Sequence, residues 1–307
     1  MSTDFHAIRY HEYGPADRLV LDVVSRPALV ADQILVQVMY AGVNPVDWKL
    51  RSGAYKAFMP VELPVIPGID FSGLVAETGP GVRHLKKGEA VFGIADGSYA
   101  EFAVAKAHDV VPLPPGLSFE MAAAVPVGAL TAWKALEDAQ VRAGQTVVIL
   151  GAAGGVGQFA VQLAHLKGAK VVGTASRANF DFVTELGADT VVDYASGAVE
   201  SALRGADAIL DLVGGAALEG AYALVKKGGF LVTIAGSPSD EKAEQFGIQA
   251  LRSGRGPAEL LGPISDLLAR KAIKVEVGKI FPLEEARAAH ELSQLGHGRG
   301  KILLKVK

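Results

Sequence analysis

The second half of the chain alternates short runs of β-branched residues with stretches of helical period. From position 146 onward the β-prone runs are 146–150 (TVVIL), 169–175 (AKVVGTA), 190–194 (TVVDY), 206–213 (ADAILDLV) and 228–236 (GGFLVTIAG). Helical stretches at 158–167 and 178–186 separate the first three runs. Parallel strands need a long crossover connection, which is usually a helix, so this alternation is typical of βαβ units. We therefore predict an α/β fold with a doubly wound parallel sheet that is buried on both faces.

The first part of the chain, up to position 120, has a different pattern. Its short β-prone runs are separated by Gly and Pro, and they include 34–40, 73–77, 90–94 and 99–105. This pattern indicates a largely antiparallel, barrel-like domain. Helical stretches follow at 119–125 and, after Pro126, at 131–139.

A chain of 307 residues exceeds the size at which one hydrophobic core usually stops growing, so two domains are expected. After a β-prone run at 248–251 and a helix at 258–270, the chain closes with a strand, a helix and a strand. We expect these closing elements to rejoin the barrel-like domain. The predicted boundaries are 1–125 and 272–307 for the mostly-β domain, with the parallel-sheet domain, 126–271, inserted between them.

Charge and composition narrow the classes of partner. The chain has 30 basic and 33 acidic side chains, a formal net charge of −3 and no Lys/Arg tract, so neither nucleic acid nor an anionic membrane is an expected partner. The opening MSTDFHAIRY lacks the regions of a signal peptide and no apolar stretch is long enough for a membrane span, so a cytoplasmic protein is expected. The absence of cysteine rules out disulfides, thiolate catalysis and sulfur-ligated zinc.

A glycine-rich segment lies between the first predicted parallel strand and the helix that follows. Its candidate binding residues are Gly151, Ala152, Gly154, Gly155, Val156 and Gly157. Glycines let the backbone turn tightly and approach a pyrophosphate, whose charge is met by free N–H groups at the helix N-terminus. The strict G-x-G-x-x-G pattern fails at Ala152, and an ordinary tight turn is the alternative interpretation. The strand before the segment and the helix after it nevertheless predict a dinucleotide site.

The end of the second parallel strand indicates which dinucleotide binds. Sites specific for NAD usually carry an acidic residue there, which bonds the ribose 2′-hydroxyl, whereas this chain has Ser176 and Arg177. A hydroxyl and a cation suit a 2′-phosphate, and Lys170 is a further candidate. We therefore predict NADPH/NADP as the cofactor. The alternative is that Arg177 is solvated surface.

Three more segments, together with the glycine turn, carry a family resemblance. They are 41–49 (AGVNPVDWK), 66–73 (IPGIDFSG) and 128–133 (GALTAW), and the match extends to the closing 297–304 (HGRGKILL). The chain resembles the medium-chain dehydrogenase/reductase superfamily, in its zinc-free quinone oxidoreductase and alkenal/enone reductase branch. The resemblance implies a Rossmann domain inserted in a GroES-like domain, NADPH-dependent reduction of a small quinone or enone substrate, and a homodimer.

The zinc-dependent members of that superfamily differ from this chain at the metal ligands. They carry a cysteine near the position of 44–47 and Gly-His-Glu where this chain has 68–70 (GID). The four-cysteine lobe that binds structural zinc is also missing from the run 91–99. Because a catalytic zinc needs about three protein ligands, we predict no metal site.

Reduction of a conjugated carbonyl without a metal needs donors that stabilise charge developing on oxygen. The candidate catalytic residues are Asn44, Asp47, Lys49 and Tyr55. The resemblance implies that this segment faces the nicotinamide, with Lys49 as the charge stabiliser. Tyr55 is a candidate proton donor, although solvent is an alternative source of the proton. A polar loop rim, and for Tyr55 a half-buried packing role, are the alternatives.

Other candidate cofactor contacts are Thr131, Tyr194, Gly236 and Ser237. The resemblance implies that Thr131 bonds the nicotinamide ribose or amide, and a helix N-cap is the alternative. The resemblance also implies that Tyr194 lies beside the 2′-phosphate or the adenine of the cofactor. The alternative is that Tyr194 is a surface aromatic residue. Gly236 and Ser237 follow a parallel strand, where turn chemistry is also sufficient to explain them.

Two other functions remain open at this point. A non-catalytic NADPH-binding protein, such as a sensor or a crystallin-like component, would keep the cofactor site alone. An enoyl-thioester reductase would need a basic patch for a carrier arm, and the sequence shows none.

Overall fold

The computed structural model describes residues 4–196, 199–296 and 298–307. It divides the chain into two compact units, one formed by Met1–Val127 with Pro257–Lys307 and the other by Gly128–Gly256. The closing segment that carries the resemblance includes His297, which lies outside the described residues. In the described part of the chain, no helix is both long and apolar enough to cross a membrane.

The N-terminal part of the first unit is mostly β-structure. Its elements are β1 (Asp4–Arg9), β2 (Val20–Ser25), β3 (Gln33–Val43), α1 (Pro45–Arg51), β4 (Asp70–Thr78), β5 (Ala90–Ile94), β6 (Phe102–Lys106), β7 (Val110–Pro112) and α2 (Phe119–Ala123). The longest strand, β3, pairs antiparallel with β4 and β6, and this pairing sets Gly42 opposite Asp70. Buried apolar residues of β3, β4 and β5, such as Val36, Phe71 and Val91, belong to the core of the unit.

The second unit is a parallel sheet between helices. It begins within α3 (Pro126–Asp138) and continues with β8 (Thr146–Leu150), α4 (Gly157–Leu166), β9 (Lys170–Ala175), α5 (Phe180–Glu185), β10 (Thr190–Asp193), α6 (Val199–Leu203), β11 (Ala206–Asp211), α7 (Ala216–Ala221), β12 (Val225–Thr233), α8 (Asp240–Phe246) and β13 (Gln249–Arg252). The strand order is β10-β9-β8-β11-β12-β13, and every pairing is parallel. This is the doubly wound order, in which ligands bind at the carboxyl ends of the strands beside the first strand.

The chain then returns to the first unit through α9 (Leu261–Ala269), β14 (Val277–Pro282), α10 (Ala286–Leu295) and β15 (Lys301–Lys305). Strand β15 pairs with β3 and extends the first unit's sheet to the order β14-β15-β3-β4-β5-β7. The return begins at Pro257, earlier than the predicted position 272. The reason is that α9 packs on β7 of the first unit, which the helical period of its sequence could not reveal.

Candidate active site

The glycine-rich turn joins β8 to α4 at the carboxyl edge of the parallel sheet. Gly151 has a φ of +81°, and its N–H donates to Oγ1 of Thr174 on β9 at 3.1 Å. A Cβ on Gly157 would lie 2.2 Å from the carbonyl oxygen of Gly151, so only glycine fits at this start of the helix. Gly154 differs, because its nearest neighbour would be 3.4 Å from a Cβ. The glycines therefore have separate roles, and that of Gly157 is the tight packing of helix on turn.

The same turn presents unused hydrogen-bond donors. Among the described residues, the N–H groups of Gly155, Val156 and Gly157 make no hydrogen bond. They lie at the N-terminus of α4, where the helix dipole favours negative charge, and Gly155 and Val156 are partly exposed. Ala152, which breaks the strict glycine pattern, is buried and its N–H donates to the Thr174 carbonyl at 3.0 Å. This turn fits a pyrophosphate.

The ends of β9 and β10 place three of the candidate cofactor residues side by side. Ser176 directly follows β9 and Tyr194 directly follows β10, and the two strands end side by side because Asp193 pairs with Ala175. Arg177 is exposed and lies over the Phe180 ring, 5.9 Å from its centroid. Tyr194 is 54% exposed. A 2′-phosphate at this edge would meet a hydroxyl, a guanidinium and an aromatic face.

Lys170 does not belong to this group. It is the first residue of β9, whereas Ser176 follows the last one, so the two are separated by about 20 Å of extended strand. The expectation that Lys170 contributes to the 2′-phosphate site is therefore wrong. The sequence signal that was missed is Asn179, whose Nδ2 donates to the Ser176 Oγ at 3.0 Å and orients that hydroxyl.

The loops after β11 and β12 are held by a buried pair that sequence reasoning did not single out. Thr233 Oγ1 donates to Asp211 Oδ2 at 2.6 Å, and both side chains are fully buried. The hydroxyl oxygen of Thr233 in turn accepts the N–H of Gly236 at 3.1 Å, while Ser237 is exposed at the same edge. An aspartate that ends a buried strand is the signal that could have revealed this pair.

Thr131 lies within α3, which begins at Pro126 rather than at the residue after Thr131. The alternative role as a helix N-cap is therefore wrong, because an N-cap residue precedes the helix and has non-helical backbone angles. Thr131 is 6% exposed. Its role toward the cofactor stays a prediction.

Helix α1 carries the candidate catalytic residues of the first unit. Asn44 precedes the helix, and its N–H donates to Oδ2 of Asp47 at 2.8 Å, as in a capping box. Pro45 occupies the first helical position, where its missing N–H has no consequence. Both Asn44 and Asp47 are buried, so their contacts are those of groups that position the helix.

The side chain of Asn44 closes a buried cluster with Asp70 and Lys301. Its Nδ2 donates to Asp70 Oδ2 at 3.0 Å, and the Lys301 ammonium donates both to the Asn44 Oδ1 and, at 2.8 Å, to the same Asp70 oxygen. The second Asp70 oxygen accepts the N–H of Val127, at the start of α3, at 2.8 Å. A Cβ on Gly42 would lie 2.7 Å from the Asp70 Cβ, so this close approach requires glycine. Asp70 and Lys301 were not among the candidates.

Asp47 begins a second buried network. Tyr99 donates its phenolic proton to Asp47 Oδ2 at 2.9 Å, His290 lies 3.3 Å from the same phenol, and Arg51 donates to His290 Nδ1 at 3.3 Å. Burial raises the pKa of Asp47 to about 7, against the lowering effect of its hydrogen bonds, and raises that of Tyr99 well above its usual value. Burial, with a smaller effect of Arg51, lowers the pKa of His290 to about 3.

Lys49 and Tyr55 lie together on another side of this segment. The Lys49 Nζ is 5.5 Å from the centroid of the Tyr55 ring and 5.6 Å from that of Trp48. Both residues are partly exposed, and the Tyr55 ring packs against that of Phe58 with the centroids 4.6 Å apart and the planes tilted by 48°. The structure thus brings together the two candidates with reactive groups that remain accessible, and separates them from the buried Asn44 and Asp47.

The residues at the expected zinc-ligand positions do not suit a metal ion. Within residues 4–196, 199–296 and 298–307, no group of three or more His, Asp or Glu side chains is arranged to hold one. Asn44 Oδ1 and Asp70 Oδ2, which stand near the predicted positions of the zinc ligands, both accept hydrogen bonds from the Lys301 ammonium. A metal ion there would have to displace this ammonium from its two oxygen partners. The donor set therefore does not suit zinc.

The fold and these sites define the class. A doubly wound sheet with a glycine turn at its first strand, inserted in a mostly-β unit with an accessible Lys49–Tyr55 pair, is the organisation of a dinucleotide-dependent oxidoreductase. Family models match in both units, as an alcohol dehydrogenase GroES-like domain at residues 30–115 and as a zinc-binding dehydrogenase at residues 186–304.

Comparison with known proteins specifies the family. The chain is 34% identical over 319 residues to a quinone oxidoreductase of Mus musculus, covering 96% of this chain and 95% of that one. It is 31% identical over 310 residues to the NADPH-dependent alkenal/one oxidoreductase, chloroplastic, of Arabidopsis thaliana, covering 96% and 78%. The solved quinone oxidoreductase of Coxiella burnetii superposes with a TM-score of 0.89 at 34% identity, covering 99% and 100%.

The chain therefore belongs to the medium-chain dehydrogenase/reductase superfamily, among its quinone oxidoreductases and alkenal/enone reductases. It is an NADPH-dependent oxidoreductase whose substrate is a small quinone or enone. The predicted family, fold class and cofactor are confirmed.

Proposed function

We propose that this enzyme reduces quinones and α,β-unsaturated carbonyls without a metal ion, with Lys49 as the group that stabilises the developing negative charge. NADPH supplies the hydride, and a conjugated carbonyl is activated enough to accept it when a donor meets its oxygen. The observation that carries the proposal is the placement of Lys49. Its ammonium lies over two aromatic rings, partly exposed, and none of the described carboxylates forms an ion pair with it.

The remaining candidates take supporting roles in this proposal. Tyr55, beside the Lys49 ammonium, or solvent protonates the reduced substrate. Asn44 and Asp47 hold α1 through their buried bonds rather than touching the substrate. In the second unit, the turn from Gly151 to Gly157 binds the pyrophosphate, Ser176, Arg177 and Tyr194 receive the 2′-phosphate and adenine, and Thr131, Gly236 and Ser237 contact the nicotinamide half.

The test compares Lys49→Met with Lys56→Met. Lys56 belongs to the same segment and lies over the Tyr13 ring, 5.1 Å from its centroid, so it is a matched surface lysine with a cation–π contact of its own. We expect Lys49→Met to lower kcat with 9,10-phenanthrenequinone and with an enone by about a hundredfold, with little change in NADPH affinity. Lys56→Met should keep the parent kcat. Equal kcat in both variants would refute the role of Lys49.

The metal-free mechanism has its own measurement. Activity should survive dialysis against a strong chelator, and elemental analysis should find no stoichiometric zinc. Tight NADPH binding without turnover on a broad panel of quinones and enones would instead favour the non-catalytic NADPH-binding function.

We also propose that the protein is a cytoplasmic homodimer. Among the described strands β13 is an edge of the parallel sheet, paired with β12 alone, so its outer side is available to a second copy. Sedimentation equilibrium should give twice the mass of the chain, and a monomer at micromolar concentration would exclude this assembly.

A further inference from the structure

Lys301 is a buried charge whose place in the fold needs an explanation. It is the first residue of β15 and is 4% exposed, although lysine almost always keeps its ammonium in water. Within the described residues, Lys301 forms an ion pair with one carboxylate, that of Asp70, which is itself fully buried. Such a pair gives little net stability, because removing both charges from water offsets their attraction. Stability alone is therefore a weak reason for this lysine.

What the ammonium does is fix the side chain of Asn44. In the closed triangle of Asn44, Asp70 and Lys301, the Asn44 oxygen faces the lysine and its Nδ2 faces the aspartate. An amide can satisfy both partners in one orientation only. The carboxylate of Asp70 is itself fixed on its other oxygen by the Val127 N–H.

Asn44 is the residue from which α1 starts. Its backbone N–H is bound by Asp47, and Pro45 begins the helix directly after it. The helix has seven residues, about two turns, so a shift at its first residue moves the fifth, Lys49, as one body.

We propose that Lys301 is a positioning residue for Lys49, acting through the hydrogen bond of its ammonium to Asn44. The inference rests on the proposed function, because it assigns Lys301 a role only if Lys49 acts in the reaction. It differs from a structural ion pair in one respect: the effect of removing Lys301 should appear in the chemical step and should depend on Lys49.

A double-mutant cycle on Lys49 and Lys301 tests this dependence. Lys301→Met should lower kcat by about tenfold to a hundredfold, as small misplacements of reacting groups do, while the Kd for 2′,5′-ADP stays unchanged. In the Lys49→Met background, adding Lys301→Met should change kcat by less than about twofold. Lys226→Met is the control, since Lys226 forms an exposed ion pair with Asp207 at the start of β11 and β12; it should keep the parent kcat.

The outcomes separate this inference from the proposed function. A normal kcat in Lys301→Met, or losses that multiply in the double variant, would overturn the positioning role alone. A normal kcat in Lys49→Met would overturn both. Lys301→Met leaves the Asp70 carboxylate buried without its cation, which can by itself disturb folding. The second variant therefore combines Lys301→Met with Asp70→Asn, so that both charges are removed. If that folded variant has the parent kcat, the positioning role is wrong.

Discussion

The phenol of Tyr99 donates a hydrogen bond of 2.9 Å to the carboxylate of Asp47, and both side chains are buried. The same phenol lies 3.3 Å from Nε2 of His290 on α10. The network therefore joins α1 to α10 through two titratable groups whose pKa values are shifted in opposite directions. The charged or titratable groups that also act on Asp47 or His290 are Tyr10, Arg51, Asp70 and Lys301.

These opposite shifts predict compensating effects of pH on stability. The pKa of Asp47 rises from 3.8 in the unfolded chain to about 7 in the folded protein. The stability that its protonated carboxyl contributes is therefore lost as the pH increases between those values. The pKa of His290 falls from 6.5 in the unfolded chain to about 3 in the folded protein. The stability that its neutral imidazole contributes is therefore lost as the pH decreases between those values. Between about pH 4 and 6.5 the folded pair holds one proton on Asp47 and the unfolded pair holds one on histidine, so the two effects cancel.

Substituting either residue alone should reveal the pH dependence of stability that the other residue causes. In His290→Gln, the free energy of unfolding should fall relative to the parent by about 1.4 kcal/mol per pH unit as pH rises from about 4.5 to 6. In Asp47→Asn, it should rise with pH by a similar slope. Urea denaturation across this range measures both slopes. Parallel curves for parent and variants would show that the two groups keep ordinary pKa values in the fold.

Gly154 and Gly157, two of the four glycines in the turn, should respond differently to an added methyl group. Gly157→Ala places a Cβ 2.2 Å from the Gly151 carbonyl and should destabilise the fold by about 1 to 3 kcal/mol. Gly154→Ala meets its nearest atom at 3.4 Å and should leave stability within about 0.5 kcal/mol, while weakening NADPH binding because the backbone approaches the pyrophosphate there. Thermal unfolding and NADPH titration of both variants separate folding from binding. Equal melting temperatures would contradict the packing role of Gly157.

Arg177 should discriminate between the two nicotinamide cofactors. Arg177→Ala removes a guanidinium from the edge formed by Ser176 and Tyr194, and should raise the KM for NADPH by about tenfold to a hundredfold. The KM for NADH should not change, because NADH has no 2′-phosphate. Arg142→Ala is the control, since Arg142 is also exposed but precedes β8 at the opposite edge of the sheet. Equal effects on both cofactors would show that Arg177 does not read the phosphate.

Gly42 should be intolerant of substitution because of the Asp70 cluster. A Cβ there would lie 2.7 Å from both the Ala123 carbonyl and the Asp70 Cβ, so Gly42→Ala should destabilise the protein by about 1 to 3 kcal/mol. Gly262 on α9 has no atom within 4 Å of a Cβ, and Gly262→Ala should stabilise by up to about 1 kcal/mol. The melting temperatures of the two variants should move in opposite directions.

Local pattern was enough to predict most of the parallel-sheet unit. The run at 146–150 coincides with β8, and the runs at 169–175 and 190–194 each exceed β9 and β10 by one residue, because β-branched residues buried in a sheet leave a clear signal. Position 257 as the point of return and the interior place of Thr131 in α3 were missed. The point of return depends on which surface α9 packs against, and helical periodicity does not specify that surface. The place of Thr131 follows from the start of α3 at Pro126, a residue type that is favoured at the first helical position.

The sequence by itself determined the fold class, the glycine turn, the absence of cysteine ligands and the family to which the chain belongs. Only the tertiary structure decided which polar residues are buried together and which stay accessible. Lys301 is 231 positions from Asp70, and His290 is 191 from Tyr99. Contacts over such separations are set by the pairing of β15 with β3 and the packing of α10, which bring distant residues together without leaving any local pattern in the chain.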